Sequence, residues 1–282
     1  MKKIALITGT STGLGLSMTL MLAKQGFHVY ATMRNLQKKT ALENAISDDM
    51  QITIMQLDVQ DSVSVNQCVA DIIECEGKID VLINNAGAGF VRNTEQASEA
   101  DIQWVMDVNY MGVVRCTKAV LPFMREARAG HIINISSVGG LVGQPFNEIY
   151  CAAKFAVEGY TESMASYIQP SFNVKFSLVE PGGIQSEFAN NVLEQVAQSG
   201  GMLDDEYLPI LQKYIGGAQS RNDTGVYQTC DEVSAVVLKC IESEEPPIRV
   251  RTSDWSNAFC QLKTQADPDG RLLQKTVIET FL

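Results

Sequence analysis

The sequence predicts an α/β protein: a doubly wound, seven-stranded parallel sheet with helices on both faces. Two observations carry this. Short runs rich in Ile, Val and Leu alternate with longer amphipathic stretches, which is how parallel strands buried on both faces read. The first such run ends in "TGTSTGLG", a glycine-rich turn placed where a strand gives way to a helix. In sheets of this kind ligands bind beyond the carboxyl ends of the strands. No Gly-, Ser- or Pro-rich linker and no internal repeat is visible, so residues 1–282 read as one domain.

The elements follow in order. "KIALIT" is the first strand, and 13–26 the first helix, ended by Gly26. "FHVYATM" is the second strand, followed by a helix over 36–47. "QITIMQLDV" is the third, followed by a helix over 62–75. "IDVLINNAG" is the fourth strand with its turn, and 101–128 is one long helical stretch. "GHIINISS" is the fifth strand, 147–169 a helix, and "NVKFSLVEPG" the sixth strand. Past Gly183 the pattern loosens. Residues 185–217 hold helical pieces and "QSGGM", and read as a substrate lid or as a surface insertion without a ligand role. A helix over 231–243, the seventh strand "PPIRVRT" and a C-terminal extension over 253–282 complete the chain.

Composition excludes several functions. The net charge of −11 argues against nucleic-acid binding, which needs clustered Lys and Arg. The seven cysteines are odd in number and contain no CxxC pair, so a zinc ribbon or thioredoxin-type site is not expected, and no metal site is. Scattered free thiols fit a reducing compartment. The opening "MKKIALI" resembles a signal peptide only briefly: its apolar run, Ile4 to Ile7, is shorter than the roughly 7–15 residues such a segment needs. No stretch is long enough to span a bilayer, so a cytoplasmic protein is expected.

The glycine turn points to a pyrophosphate. Gly9, Gly13 and Gly15 form G-x-x-x-G-x-G, which lets backbone approach an anion while Leu14 and its neighbours open a helix toward it. Thr10, Ser11 and Thr12 add hydroxyls that can donate to phosphate. The end of the second strand reads "ATMRN". An NAD binder typically carries a carboxylate there, whereas Arg34 suits a 2′-phosphate, so NADP(H) is expected. Asp58, beside Val59, ends the third strand where it can accept from an adenine amino group. Asn85, Ala86 and Gly87 end the fourth strand at the same cleft.

In "YCAAKFAVEGY", Tyr150 and Lys154 stand four apart on a predicted helix and so share a face. A phenol titrates near pH 10, and a neighbouring ammonium favours its phenolate. The pair therefore reads either as a proton-transfer site or as a lysine snorkelling beside a half-buried tyrosine.

The motifs "TGTSTGLG", "NNAG", "VNYMG", "ISSVGG", "YCAAK" and "VEPGGI" occur in that order. Together they resemble the short-chain dehydrogenase/reductase family in its compact branch, over roughly residues 3–190. "SSVGGLVGQPFNEIYCAAKFAVEGYTES" is more similar still to the 17-beta-hydroxysteroid and retinol dehydrogenase subgroup. The resemblance implies a Rossmann sheet and a catalytic set of Asn109, Ser137, Tyr150 and Lys154. Tyr150 is implied as acid or base, Lys154 as holding the nicotinamide ribose, Ser137 as bonding the substrate oxygen, and Asn109 as holding a water that links Lys154 to solvent. Ser136 should point away from Ser137. Pro181, Gly182, Ile184 and Ser186 are implied at the nicotinamide, with Ser186 where the family often has Thr. Val138, Leu141, Val142, Pro145 and Phe146 suggest an apolar substrate wall. The reading is an NADP(H)-dependent oxidoreductase of hydrophobic ketones or secondary alcohols, working as a homodimer or homotetramer through the helices at 101–128 and 147–169. The rival from another class is an NADP-binding sensor or scaffold without catalysis; a dehydratase or epimerase is disfavoured for want of an added sugar-nucleotide domain.

Overall fold

The computed structural model describes residues 2–198 and 201–281. Two residues of "QSGGM", 199 and 200, lie outside these. The elements run β1 (Ile4–Thr8), α1 (Gly13–Lys24), β2 (His28–Met33), α2 (Thr40–Glu43), β3 (Gln51–Gln56), α3 (Ser62–Glu76) and β4 (Val81–Asn84). Next come α4 (Glu99–Met106), α5 (Gly112–Ala127), β5 (Gly130–Ile135), α6 (Glu148–Phe172) and β6 (Val174–Glu180). The last part holds β7 (Ile184–Gln185), α7 (Glu187–Gln198), α8 (Leu208–Asp223), β8 (Gln228–Thr229), α9 (Cys230–Glu242), β9 (Arg249–Arg251), α10 (Asp254–Thr264) and α11 (Arg271–Phe281).

The main sheet has seven parallel strands in the order β3-β2-β1-β4-β5-β6-β9. Both faces are covered, and alternation along β1 shows how. Ile4 and Leu6 pack with Val65 and Ile72 of α3, Cys116 and Val120 of α5, and Met164 and Ile168 of α6. Ala5 and Ile7 pack on the other face with Met18 and Leu22 of α1 and Val233 and Val237 of α9. A strand apolar at every position is thus required, which is why β1 carried no polar alternation to read. The strand order reverses between β1 and β4, and the crevice of a doubly wound sheet lies at such a switch point.

Three stretches depart from expectation. The helix expected over 36–47 is a 3₁₀ turn at Leu36–Lys38 followed by the four-residue α2. Only Leu42 of α2 is buried, so little packing supports a longer helix. The stretch expected as one helix over 101–128 is α4 and α5 joined by a π-helical turn at Asp107–Met111. The excursion placed at 185–217 is bracketed instead by a second, two-stranded parallel sheet, β7 with β8, so it closes at Gln228. Strands of two residues leave no periodicity to detect. Among the described residues no helix is long and apolar enough to cross a membrane.

Candidate active site

The two lips of the crevice are laced together. Thr8 Oγ1, at the end of β1, accepts from the backbone N–H groups of Asn85 and Ala86, each at 3.0 Å. The Asn85 amide donates back to the carbonyls of Thr8 and Gly9 at 2.9 and 3.0 Å. Glycine is required here for two reasons. Gly9 sits at φ +71°, and a Cβ on it would stand 2.8 Å from Ala86 Cα. A Cβ on Gly15 would stand 2.2 Å from the Gly9 carbonyl oxygen. The Thr12 side chain makes no cap bond, so the first N–H groups of α1 have no side-chain acceptor at this helix start.

The resulting cleft encloses about 870 Å³. Gly9, Ser11, Thr12, Gly13, Leu14 and Gly15 line it, as do Arg34, Asp58, Val59, Asn85, Ala86 and Gly87. Pro181, Gly182, Ile184 and Ser186 line the far side. Thr10 is the exception. It is fully buried, its hydroxyl donates to the Thr32 carbonyl at 3.1 Å, and it does not line the cleft. Its hydroxyl braces the turn, so the expectation that it donates to phosphate is corrected.

Tyr150 lies in the first turn of α6 and Lys154 one turn later, with Lys154 Nζ 5.7 Å from the Tyr150 ring centre. Ser137 follows β5, accepts the Gly139 N–H at 3.0 Å, and lies within hydrogen-bonding reach of the Tyr150 hydroxyl. Ser136 points the other way, to Glu158, as strand alternation requires. Lys154 is buried, and its ammonium donates to the Ile135 carbonyl at 2.9 Å.

The acid–base order of this pair differs from expectation. Burial pushes the Tyr150 phenol up to about 12, against the lowering effect of the Ser137 bond. Burial also draws Lys154 down to about 8. In the free protein the amine, not the phenol, titrates nearest neutrality.

Asn109 is also placed differently. It is fully buried in the π turn and does not line the cleft. Its amide donates to the carbonyls of Ala88 and Val105 at 2.9 and 3.0 Å, and its oxygen accepts the Ala88 N–H at 3.1 Å. The two contacts to Ala88 hold the loop after β4, and the third reaches back to α4.

The expected apolar wall is mostly elsewhere. Of its five residues only Val138 lines the cleft. Leu141 and Phe146 are buried, Leu141 against Cys260 and Phe146 against Tyr214. The wall is supplied instead by Phe188 and Val192 of α7, Leu211 and Tyr214 of α8, and Tyr227 before β8. Phe188 meets the Tyr150 ring edge-on, with centres 6.1 Å apart. For Phe188 and Val192 a signal was there, in an amphipathic pattern over α7, but nothing in it named the cleft as partner. Lys38 was missed too. It lines the cleft beside Arg34, held by a turn whose N-cap Asn35 accepts the Gln37 N–H at 2.9 Å.

The family model for short chain dehydrogenases matches residues 3–197. The chain belongs to the short-chain dehydrogenase/reductase family. This oxidoreductase is 42% identical over 281 residues to retinol dehydrogenase 8 of Bos taurus, covering 97% of this chain and 88% of that one. It is 34% identical to 17-beta-hydroxysteroid dehydrogenase type 1 of Homo sapiens, covering 95% and 83%. Among solved structures it is similar to one described as ElxO with NADP bound, with a TM-score of 0.74 and 28% identity, covering 92% and 100%. The nicotinamide dinucleotide of the family fits this surface: free helix N–H groups and hydroxyls face one part of the cleft, and two cations another.

Proposed function

We propose that this short-chain dehydrogenase/reductase is an NADP(H)-dependent enzyme that interconverts a hydrophobic ketone and its secondary alcohol. The observation that carries it is the meeting of Ser137 and Tyr150 beside Lys154 inside the crevice. Gly9 to Gly15, apart from Thr10, would hold the pyrophosphate, and Arg34 with Lys38 the 2′-phosphate, which is what favours NADP(H) over NAD(H). Asp58 and Val59 would take the adenine. Asn85 to Gly87, Lys154, Pro181, Gly182, Ile184 and Ser186 would take the nicotinamide riboside. When bound, the dinucleotide supplies or accepts the hydride.

The protein's own part is proton transfer and orientation. Ser137 and Tyr150 hydroxyls converge on the position of the substrate oxygen. In reduction Tyr150 donates its proton to that oxygen as charge develops there. A phenol held near 12 is fully protonated at neutral pH, so the acid role needs no prior titration. Lys154 lies close enough to stabilise the phenolate left behind. Residues 184–229, carrying the apolar wall, act as the substrate lid. The relatives are named for retinol and for a 17-beta-hydroxysteroid, both consistent with a long apolar substrate.

Two measurements test this. Tyr150→Phe is expected to abolish turnover of a panel of steroid, retinoid and aliphatic ketones while NADPH titration stays within about threefold of the parent; surviving turnover overturns the mechanism. The parent is expected to favour NADPH over NADH, and Arg34→Ala with Lys38→Ala to shrink that ratio by about 10–100-fold, as loss of two charge-assisted contacts implies. A parent without preference for NADPH overturns the cofactor assignment.

A further inference from the structure

Behind the cleft lies a cluster that proton transfer to substrate does not use. Glu158 stands on α6 one turn beyond Lys154, on the same face. Ser136, next to Ser137, donates its hydroxyl to Glu158 Oε1. Glu180, the last residue of β6 and the neighbour of Pro181, lies within hydrogen-bonding reach of Glu158. Both carboxyl groups are buried. Arg251 of β9 pairs with Glu180 Oε2 at 3.2 Å. Glu158 Oε2 and Glu180 Oε1 are left without any donor. Two carboxylates cannot face one another in that state, whereas one proton between them satisfies both oxygens. The turn after Ser137 rests on the same group, since a Cβ on Gly140 would stand 2.7 Å from Ser136 Oγ and 2.8 Å from Glu158 Oε1.

We propose that Glu158 and Glu180 share one proton and so form a buried clamp that holds the three active-site elements in register. Glu158 carries the proton, donates it to Glu180, and accepts from Ser136. Glu180 keeps its charge against Arg251. The clamp therefore ties α6, with Tyr150 and Lys154, to the end of β5, with Ser137, and to the end of β6, with Pro181 and Gly182. Both residues are positioning residues, for neither lines the cleft. The other charged and titratable groups facing the pair are Lys154 and Glu162 on α6, Arg249 and Arg251 on β9 and Cys260 on α10. Desolvation, and for Glu158 also the charge of Glu180, raises both carboxyl groups above their ordinary range, in agreement with a held proton.

The positioning role rests on the function proposed above; the shared proton does not, and the experiment separates them. Its first part follows thermal unfolding of the full chain from pH 5 to 8. A carboxyl whose folded pKa is raised binds its proton in the folded state while the unfolded chain has lost it, so stability falls as pH rises above about 4.5. Glu158→Gln presents a permanent donor to Glu180 and an acceptor to Ser136. It is expected to remove that fall, so that its stability relative to the parent rises as pH rises; a curve parallel to the parent's overturns the shared proton. The second part measures ketone reduction. Glu158→Leu is expected to lower kcat by about 30–100-fold with the KM for NADPH within threefold, the size of effect a displaced catalytic group produces. Glu158→Gln is expected to restore kcat to within about fivefold of the parent. Unchanged kcat in a folded Glu158→Leu, or no restoration by Glu158→Gln, overturns the positioning role. A parent inactive on every ketone refutes the function and with it the positioning role, while the unfolding curves still judge the proton.

Discussion

At Tyr150 and Lys154, one buried environment acts on two groups in opposite senses. Burial disfavours charge, so it raises the phenol to about 12 and lowers the amine to about 8. The pH dependence of kcat/KM reports the free enzyme's groups. For ketone reduction it is expected to be flat near pH 6–7 and to fall above about 8, as Lys154 loses its proton. Alcohol oxidation needs the phenolate and is expected to rise with pH over the same range. Lys154→Arg keeps its charge far above pH 8, so whatever activity it retains should show no reductive fall near 8. An unchanged fall in that variant assigns the limb to another group. The pairing of these two residues was legible because a helix puts i and i+4 on one face. Their acid–base order was not, since it depends on burial contributed by residues as distant in the chain as Phe188 and Tyr214.

At the level of elements, the π turn between α4 and α5 carries the clearest structural consequence. It takes Asn109 off an uninterrupted helical path and turns its amide into a bridge to the loop after β4. Asn109→Ala leaves the Ala88 N–H, the Ala88 carbonyl and the Val105 carbonyl without their partner. Removing one side of several buried hydrogen bonds costs roughly 2–4 kcal/mol. In a chain of this size that corresponds to a fall in Tm of about 3–7 °C, measurable by calorimetry. A change below 2 °C would show that the loop repairs itself. The seven strands of the main sheet were legible because fully apolar runs have little other use. The π turn was not, for it differs from an α-helix by one inserted residue and leaves the apolar spacing almost intact. The split of 36–47 escaped for a related reason: its composition is helical, but only Leu42 finds a buried place.

Across the whole molecule, two buried groups at opposite ends of β5 tilt the pH dependence of stability in opposite directions. Near the start of β5, His131 is buried, and its Nε2 lies 3.0 Å from Ser177 Oγ. That hydroxyl donates to the Pro247 carbonyl at 2.7 Å, so Nε2 carries a hydrogen. Burial, aided by Lys175, holds its pKa down at about 3. The unfolded chain then binds a proton near 6.5 that the folded chain refuses, so stability falls as pH drops through 6.5 toward 3. Over that full window the loss is on the order of 4 kcal/mol. The Glu158–Glu180 proton acts the other way, since stability there falls as pH rises. His131 and Ser136 are five residues apart along an extended strand, about 16 Å at 3.3 Å per residue, so the two effects should add. His131→Gln keeps a donor for Ser177 and cannot titrate. Between pH 7 and 5 it is expected to gain stability on acidification relative to the parent, whereas Glu158→Gln is expected to lose it, and the double variant to follow the sum. Curves that tilt the same way in both single variants would show that at least one of these groups holds the other protonation state in the fold.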